Sequence, residues 1–163
     1  KINLHKRNKY RHYYLVEIAI IIALFIGLYP VLSVKTADMD KIKTDLAETI
    51  NLDFVNVGDE KTLKNLYYIN KNDIEDFISY APKSNMEVEE ILVLKTKEGT
   101  DISEIKSKID KRLQKQGESF KNYRPEKYNI IENAVLEEEG QYLIFIVSEN
   151  ASAIKKIIKD NFK

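Results

Sequence analysis

From Ile18 to Val34 the chain runs for seventeen residues without a charge. Extended back through Tyr13, Tyr14, Leu15 and Val16, the stretch reaches 22 residues and is broken only by Glu17. A helix of that length covers roughly 30 Å, the hydrocarbon thickness of a bilayer. Tyr10, Tyr13 and Tyr14 at one end and Tyr29 at the other have the placement of interfacial aromatic belts. The competing reading is a cleaved signal peptide, with Val31-Leu32-Ser33 as a tolerable cleavage site. Because the apolar run exceeds the usual h-region of about 7–15 residues, a retained transmembrane helix over 13–34 is the expectation.

Charge orients that helix. Lys1, Lys6, Arg7, Lys9 and Arg11 make residues 1–12 strongly basic, and the positive-inside rule puts this tail in the cytoplasm. Residues 35–163 then form a domain outside the cytoplasm, with 21 basic and 25 acidic side chains, or 21 − 25 = −4. A mildly acidic domain lacks the basic face that nucleic-acid binding needs. The sequence has no cysteine, so disulfides, thiolate chemistry and a lipidated cysteine are excluded, and anchoring falls to the helix. The expected location is the cell membrane, single-pass, with the bilayer as a partner.

Glu17 is the one ionisable group within the span. Such a residue is by default a functional-site candidate, pairing with a polar group on another helix. The alternative places it about one turn inside the cytoplasmic boundary, where it snorkels to water.

For residues 35–163 the patterning alternates between helical and extended periods. Met39, Ile42, Leu46 and Ile50 fall on one face of a helix opening at Asp38. Gly58-Asp59 marks a turn and cap before a short helix carrying Leu63, Leu66 and Tyr67. Strands are expected around Phe77–Tyr80 and over Val88–Thr96, the latter continuously apolar and so covered on both faces. Asp101 and Glu104 have capping-box spacing for a long helix with Ile102, Ile105, Ile109, Leu113 and Phe120 inward. A short helical turn follows Pro125; a hairpin over 133–148 turns at Glu139-Gly140; Asn150 caps a last helix with Ile154, Ile157, Ile158 and Phe162 inward. The fold class is α+β: an antiparallel sheet of about four strands with helices packed on one face, and a ββα duplication as one way to read its order.

Chemistry is sparse. Both histidines, His5 and His12, lie in the basic tail, so the outer domain has no imidazole base and a Ser-His-Asp hydrolase is excluded. There is no P-loop, dinucleotide fingerprint or EF-hand. No catalytic residue, cofactor or metal site is expected. Glu87, Glu89 and Glu90, and Glu137 to Glu139, form acidic clusters that read as solvated strand ends more readily than as catalytic pairs. The loop carrying Ser84, Asn85 and Met86 is the best recognition element, although Pro82, Ser84 and Asn85 also read as turn chemistry and Met86 as a core plug.

The string Tyr80-Ala-Pro-Lys-Ser-Asn-Met-Glu-Val-Glu-Glu-Ile carries a resemblance, joined by Ser119-Phe120, Tyr123 with Pro125-Glu126, Glu132-Asn133-Ala134, and Gly140 with Tyr142. In that order these motifs resemble a domain-of-unknown-function family of membrane-attached or secreted envelope proteins of Gram-positive anaerobes, over roughly residues 38–163. Many members carry a lipoprotein cysteine, which this sequence lacks. The resemblance implies a non-enzymatic envelope protein, an accessory subunit of a membrane-bound O-acyltransferase-type complex that modifies a surface polymer. Its partner would be a polytopic membrane protein or envelope enzyme complex, met through Glu17 or the Ser84–Met86 loop. The alternative is an extracytoplasmic glycan- or peptide-binding sensor, which requires exposed aromatic side chains around a concave site.

Overall fold

A computed structural model of the protein describes residues 5–32 and 35–163, with side chains of the first helix from Tyr10 to Leu28. Lys1, Ser33 and Val34, and the side chains of His5, Lys6, Arg7, Lys9 and Tyr29, lie outside the described residues. The chain divides into two units, Lys1–Val34 and Lys35–Lys163.

The first unit is one helix, α1 (His5–Leu32), which begins inside the basic segment. Its stretch Tyr10–Leu28 is 19 residues long, apolar enough to cross a membrane, and exposed throughout.

The second unit contains α2 (Met39–Thr49), β1 (Val55–Val57), α3 (Glu60–Tyr67), β2 (Ile74–Pro82) and β3 (Glu90–Thr96). It continues through α4 (Ile102–Lys121), α5 (Pro125–Glu132), β4 (Val135–Glu139), β5 (Tyr142–Val147) and α6 (Ala151–Lys159). The five strands form one sheet in the order β1-β2-β3-β5-β4, every pair antiparallel. The α+β class is as expected, with one strand more. The extra strand is β1, where three residues interrupted by Asn56 offer no apolar run to recognise.

Helices cover both faces of this sheet, which corrects the expectation of one. Successive strand residues point to opposite sides. Leu92 and Leu94 of β3, with Leu143 and Phe145 of β5, pack against Leu63, Tyr67, Ile105, Ile109 and Ile131 from α3, α4 and α5. Ile91 and Val93, with Ile144 and Ile146, pack against Ile42, Leu46, Ile154 and Ile158 from α2 and α6. Strands apolar on both faces need a layer on each, and the amphipathic helices supply two.

The ββα duplication is not shown. Because β3 and β5 are antiparallel neighbours, a two-fold relating β2-β3-α4 to β4-β5-α6 would stand perpendicular to the sheet and keep both helices on one face. Instead α4 and α6 lie on opposite faces.

Local chemistry sets the element ends. Asp59 accepts from the Thr62 amide at 3.0 Å while Thr62 Oγ1 accepts from the Asp59 amide at 3.1 Å, a reciprocal cap on α3. Asp101 caps α4 by accepting from Ser103 and Glu104 amides. Glu104 instead pairs with Lys108 at 2.8 Å. Asn150 occupies the cap position of α6 without a side-chain bond, and Ser148 Oγ accepts from the Asn150 amide at 3.2 Å. The β4–β5 hairpin turns through Gly140-Gln141, with Gly140 at φ 61, the positive value that a two-residue II′ turn asks of its first residue. Where the second unit begins, Thr36 and Lys163 exchange backbone hydrogen bonds of 3.3 and 2.9 Å, and the Ala37 amide donates to buried Tyr142 Oη at 3.1 Å.

Gly58 joins β1 to α3 where the backbone passes close to β2. Its amide donates to Ser79 O at 2.8 Å, and a Cβ there would sit 2.4 Å from Ser79 Oγ and 2.8 Å from Ser79 Cβ. Gly58→Ala is expected to lower unfolding stability by about 1–3 kcal/mol, the cost of overpacking, measured by urea denaturation of the full-length protein in detergent. An unchanged midpoint would show that β1 yields freely.

Candidate functional site

Helix α4 turns Ile105, Ile109 and Phe120 into the core, yet Arg112 and Gln116 share that stripe. Polar residues on a buried stripe need partners. Arg112 has one in Glu90, the first residue of β3 and fully buried, with Nη2 donating to Oε2 at 3.0 Å and Nε to Oε1 at 3.4 Å. A fork meeting both carboxylate oxygens suits the guanidinium better than it would an ammonium. Tyr67 lies against this pair from α3, and burial first, then the Glu90 charge, push its hydroxyl well above the ordinary range. Tyr67 Oη faces the Glu90 carboxylate without a hydrogen bond of good geometry.

Gln116 is 5% exposed and its Oε1 has no partner either. An unmet buried acceptor costs about 1–3 kcal/mol. It lines a cavity of about 340 Å³ between α4 and the β2–β3 loop, together with Ser84, Asn85, Lys83, Arg112 and Lys115. A second cavity of about 370 Å³ adjoins it across Leu66, Arg112 and Lys115, and is walled by Tyr68 and Lys111. Both fall in the usual range for ligand sites, about 300–1,000 Å³. Tyr68 is 73% exposed and sits at φ 56, a left-handed position after α3 where glycine is the usual residue. Glu87 also lines the first cavity but is paired with Lys127, while among the described residues Lys83, Lys111 and Lys115 form no salt bridge, so the cleft is locally basic on a mildly acidic domain.

The candidates read from sequence fall in different places. Ser84 and Asn85 line the first cavity, while Met86 does not. Ser84 also makes the turn, its Oγ accepting from the Met86 amide at 3.2 Å. Met86 is 40% exposed and is held from α5 and the residues before it: Arg124 Nη1 donates to its carbonyl at 3.2 Å and Tyr123 Oη to its Sδ at 3.9 Å. Lys127 pairs with Glu87 at 3.0 Å beside the same loop. Glu17 belongs to α1, on its exposed surface. Arg112, Gln116 and Tyr68 were missed, although the interrupted α4 stripe was readable as a signal.

The acidic clusters do not converge. Glu87 meets Lys127 and Glu90 meets Arg112, while burial, opposed by the Lys127 charge, holds Glu89 above the usual carboxylate range. On β4, Glu137 pairs with Lys155 and with Lys159 at 3.3 Å, and Glu139 with Lys159 and Lys35. Hydrogen bonding from Lys155 holds Glu137 below the ordinary range; for Glu139 burial works the other way, and bonds from Lys159 and Lys35 outweigh it. Among the described residues no group of three His, Cys, Asp or Glu side chains is placed to hold a metal.

Two outcomes are expected from these pairs. Arg112→Met should destabilise by about 3 kcal/mol or more because it strands a buried carboxylate, whereas Glu90→Leu with Arg112→Met should stay within about 1 kcal/mol of wild type. Chemical denaturation of the three proteins checks this, and equal loss in both variants would refute it. Carboxylates with lowered folded pKa values give stability that is present above their unfolded value, about 4.3, and lost as pH falls through the folded one. Glu137→Gln with Glu139→Gln should therefore flatten the acid side of a Tm-against-pH profile, while costing about 1 kcal/mol at neutral pH.

The cleft lies within the part of the chain that a comparison with known protein families matches. A family model described as a domain of unknown function (DUF4358) matches residues 48–148, from the end of α2 through β5, and includes both cavities. No curated protein and no solved structure matches the chain. With more than half of its 163 residues under that model, the chain belongs to the DUF4358 family.

Proposed function

We propose that this protein is a membrane-anchored, non-enzymatic accessory protein of the cell envelope, with the Lys35–Lys163 unit outside the cytoplasm. The observation that carries the reading is α1: nineteen residues, Tyr10–Leu28, apolar and uncovered, with one carboxylate among them. An apolar helix of that length is stable in a bilayer, and a carboxylate there is stabilised by a polar group on a neighbouring helix. The partner is a polytopic membrane protein, as in a membrane-bound O-acyltransferase-type complex that modifies a surface polymer. The resemblance to envelope proteins of Gram-positive anaerobes and the basic residues ahead of the span support the location and orientation. The pairing of the acidic clusters with lysine and arginine supports a binding rather than a catalytic role.

A second reading, an extracytoplasmic glycan- or peptide-binding sensor module, is favoured by Tyr68, an exposed aromatic ring at the wall of a cavity. The two readings are compatible in one protein.

Purification of full-length tagged protein from native membranes in mild detergent should recover a polytopic partner, and Glu17→Leu should reduce that recovery several-fold. Recovery of wild type as a lone monomer would overturn the accessory role. External protease added to intact cells should degrade the Lys35–Lys163 unit; its protection would reverse the proposed orientation.

A further inference from the structure

The chemistry of the cleft narrows its ligand. We infer that the paired cavities between α4 and the β2–β3 loop bind an acidic saccharide, an inference that rests on the second reading above and specifies its ligand. Gln116 lines the cavity though only 5% exposed, and its Oε1 lies unpartnered beneath that wall, so the site presents an amide to which ligand hydroxyls can bond. A bare sulfate brings no hydroxyl. Ser84 and Asn85 add exposed polar groups on the rim. A ligand rich in hydroxyls meets all three.

Charge supplies the second requirement. Lys83 and Lys115 line the same cavity, and neither forms a salt bridge among the described residues. Arg112 is already engaged by Glu90, so the lysines are the groups left to meet an anion. Lys115 faces both cavities and places that anion near their junction.

The third requirement is an apolar face. Tyr68 and Leu66 wall the adjoining cavity. Tyr68 closes α3 with a left-handed backbone whose amide donates to the Leu63 and Lys64 carbonyls, and this leaves its ring exposed at the cavity wall. A pyranose carries C–H groups on one face, hydroxyls at its rim and, when acidic, a carboxylate or ester anion. That combination fits Tyr68, Gln116 and Lys115 in turn. An extended peptide added at a sheet edge would use backbone groups, whereas this cleft is lined by helix and loop side chains.

The test uses full-length protein in nanodiscs, applied to an array of uronate-, phosphate- and sulfate-bearing oligosaccharides beside neutral ones, with inorganic sulfate as competitor. Acidic oligosaccharides should be retained about tenfold more tightly than neutral counterparts, with retention falling as salt rises. Lys115→Glu and Gln116→Leu should each weaken binding about tenfold without lowering Tm. Tyr68→Gly, which suits the left-handed backbone, should also lose binding with Tm unchanged or raised. Equal retention of neutral and acidic members would overturn the acidic specificity and leave a glycan module standing. Full competition by sulfate would reduce the cleft to a simple anion site and overturn the inference. Retention of no oligosaccharide would overturn both the inference and the glycan reading, while leaving the accessory reading to its own experiment.

Discussion

Strand β3 is buried on both faces, and the arrangement of the Lys35–Lys163 unit follows from that requirement. Leu92 and Leu94 demand one apolar layer, and Ile91 and Val93 another. The helices divide accordingly, α3, α4 and α5 to one side and α2 and α6 to the other. Its neighbour β5 is buried along its whole length, so these two central strands join both cores. The edges, β1 and β4, carry the more exposed residues, as sheet edges do. The family model spans the whole sheet and one helical layer, with most of the other layer, α2 and α6, lying beyond it.

Glu90 is the exception on β3. A carboxylate at the start of a buried strand is tolerated because Arg112 reaches it from α4, and that contact fixes α4 over the sheet at the point where the cleft opens. The same interaction shapes the electrostatics of the surface. Acidic residues at the ends of β3 and on β4 are matched with arginine and lysine from α4, α5 and α6. Among the described lysines without a salt bridge, Lys83, Lys111 and Lys115 lie around two adjoining cavities. A net count of −4 over residues 35–163 conceals this, because charge balance over a domain says nothing about which charges are already paired.

Periodicity was enough to read α2, α4 and α6, both central strands and the β4–β5 hairpin, because each has a sustained apolar pattern. It was not enough for β1, where Val55-Asn56-Val57 is too short to show one. The continuous apolar run of Ile91, Leu92, Val93 and Leu94 signalled cover on both faces, but which helices supply each layer is set by the fold and carries no local signal. Of the site, the loop at Ser84 and Asn85 was legible from turn chemistry. Its grip by Tyr123 and Arg124 was not, since those residues lie 37 and 38 positions from Met86 in the chain. Arg112 and Gln116 were visible as letters, but their significance lies in facing the core, and only the fold reveals what they face there.

Local rules are broken in this unit at few places, and three of them meet at the cleft: a tyrosine with left-handed backbone, a buried glutamine acceptor without a partner, and a buried carboxylate. Each is destabilising taken alone. The Glu90–Arg112 pair resolves one of them within the fold. Tyr68 is resolved in its backbone, since its amide and that of Ile69 close α3 on the Leu63 and Lys64 carbonyls; its exposed ring and the Gln116 acceptor are left without a partner in the fold. Consistency across levels fails at functional positions more often than at structural ones, which is why these two features direct the proposed binding role to this cleft. The proposal for α1 has the same form: an exposed helix, long and apolar enough to cross a membrane and carrying one carboxylate, fits a bilayer with a polar neighbour.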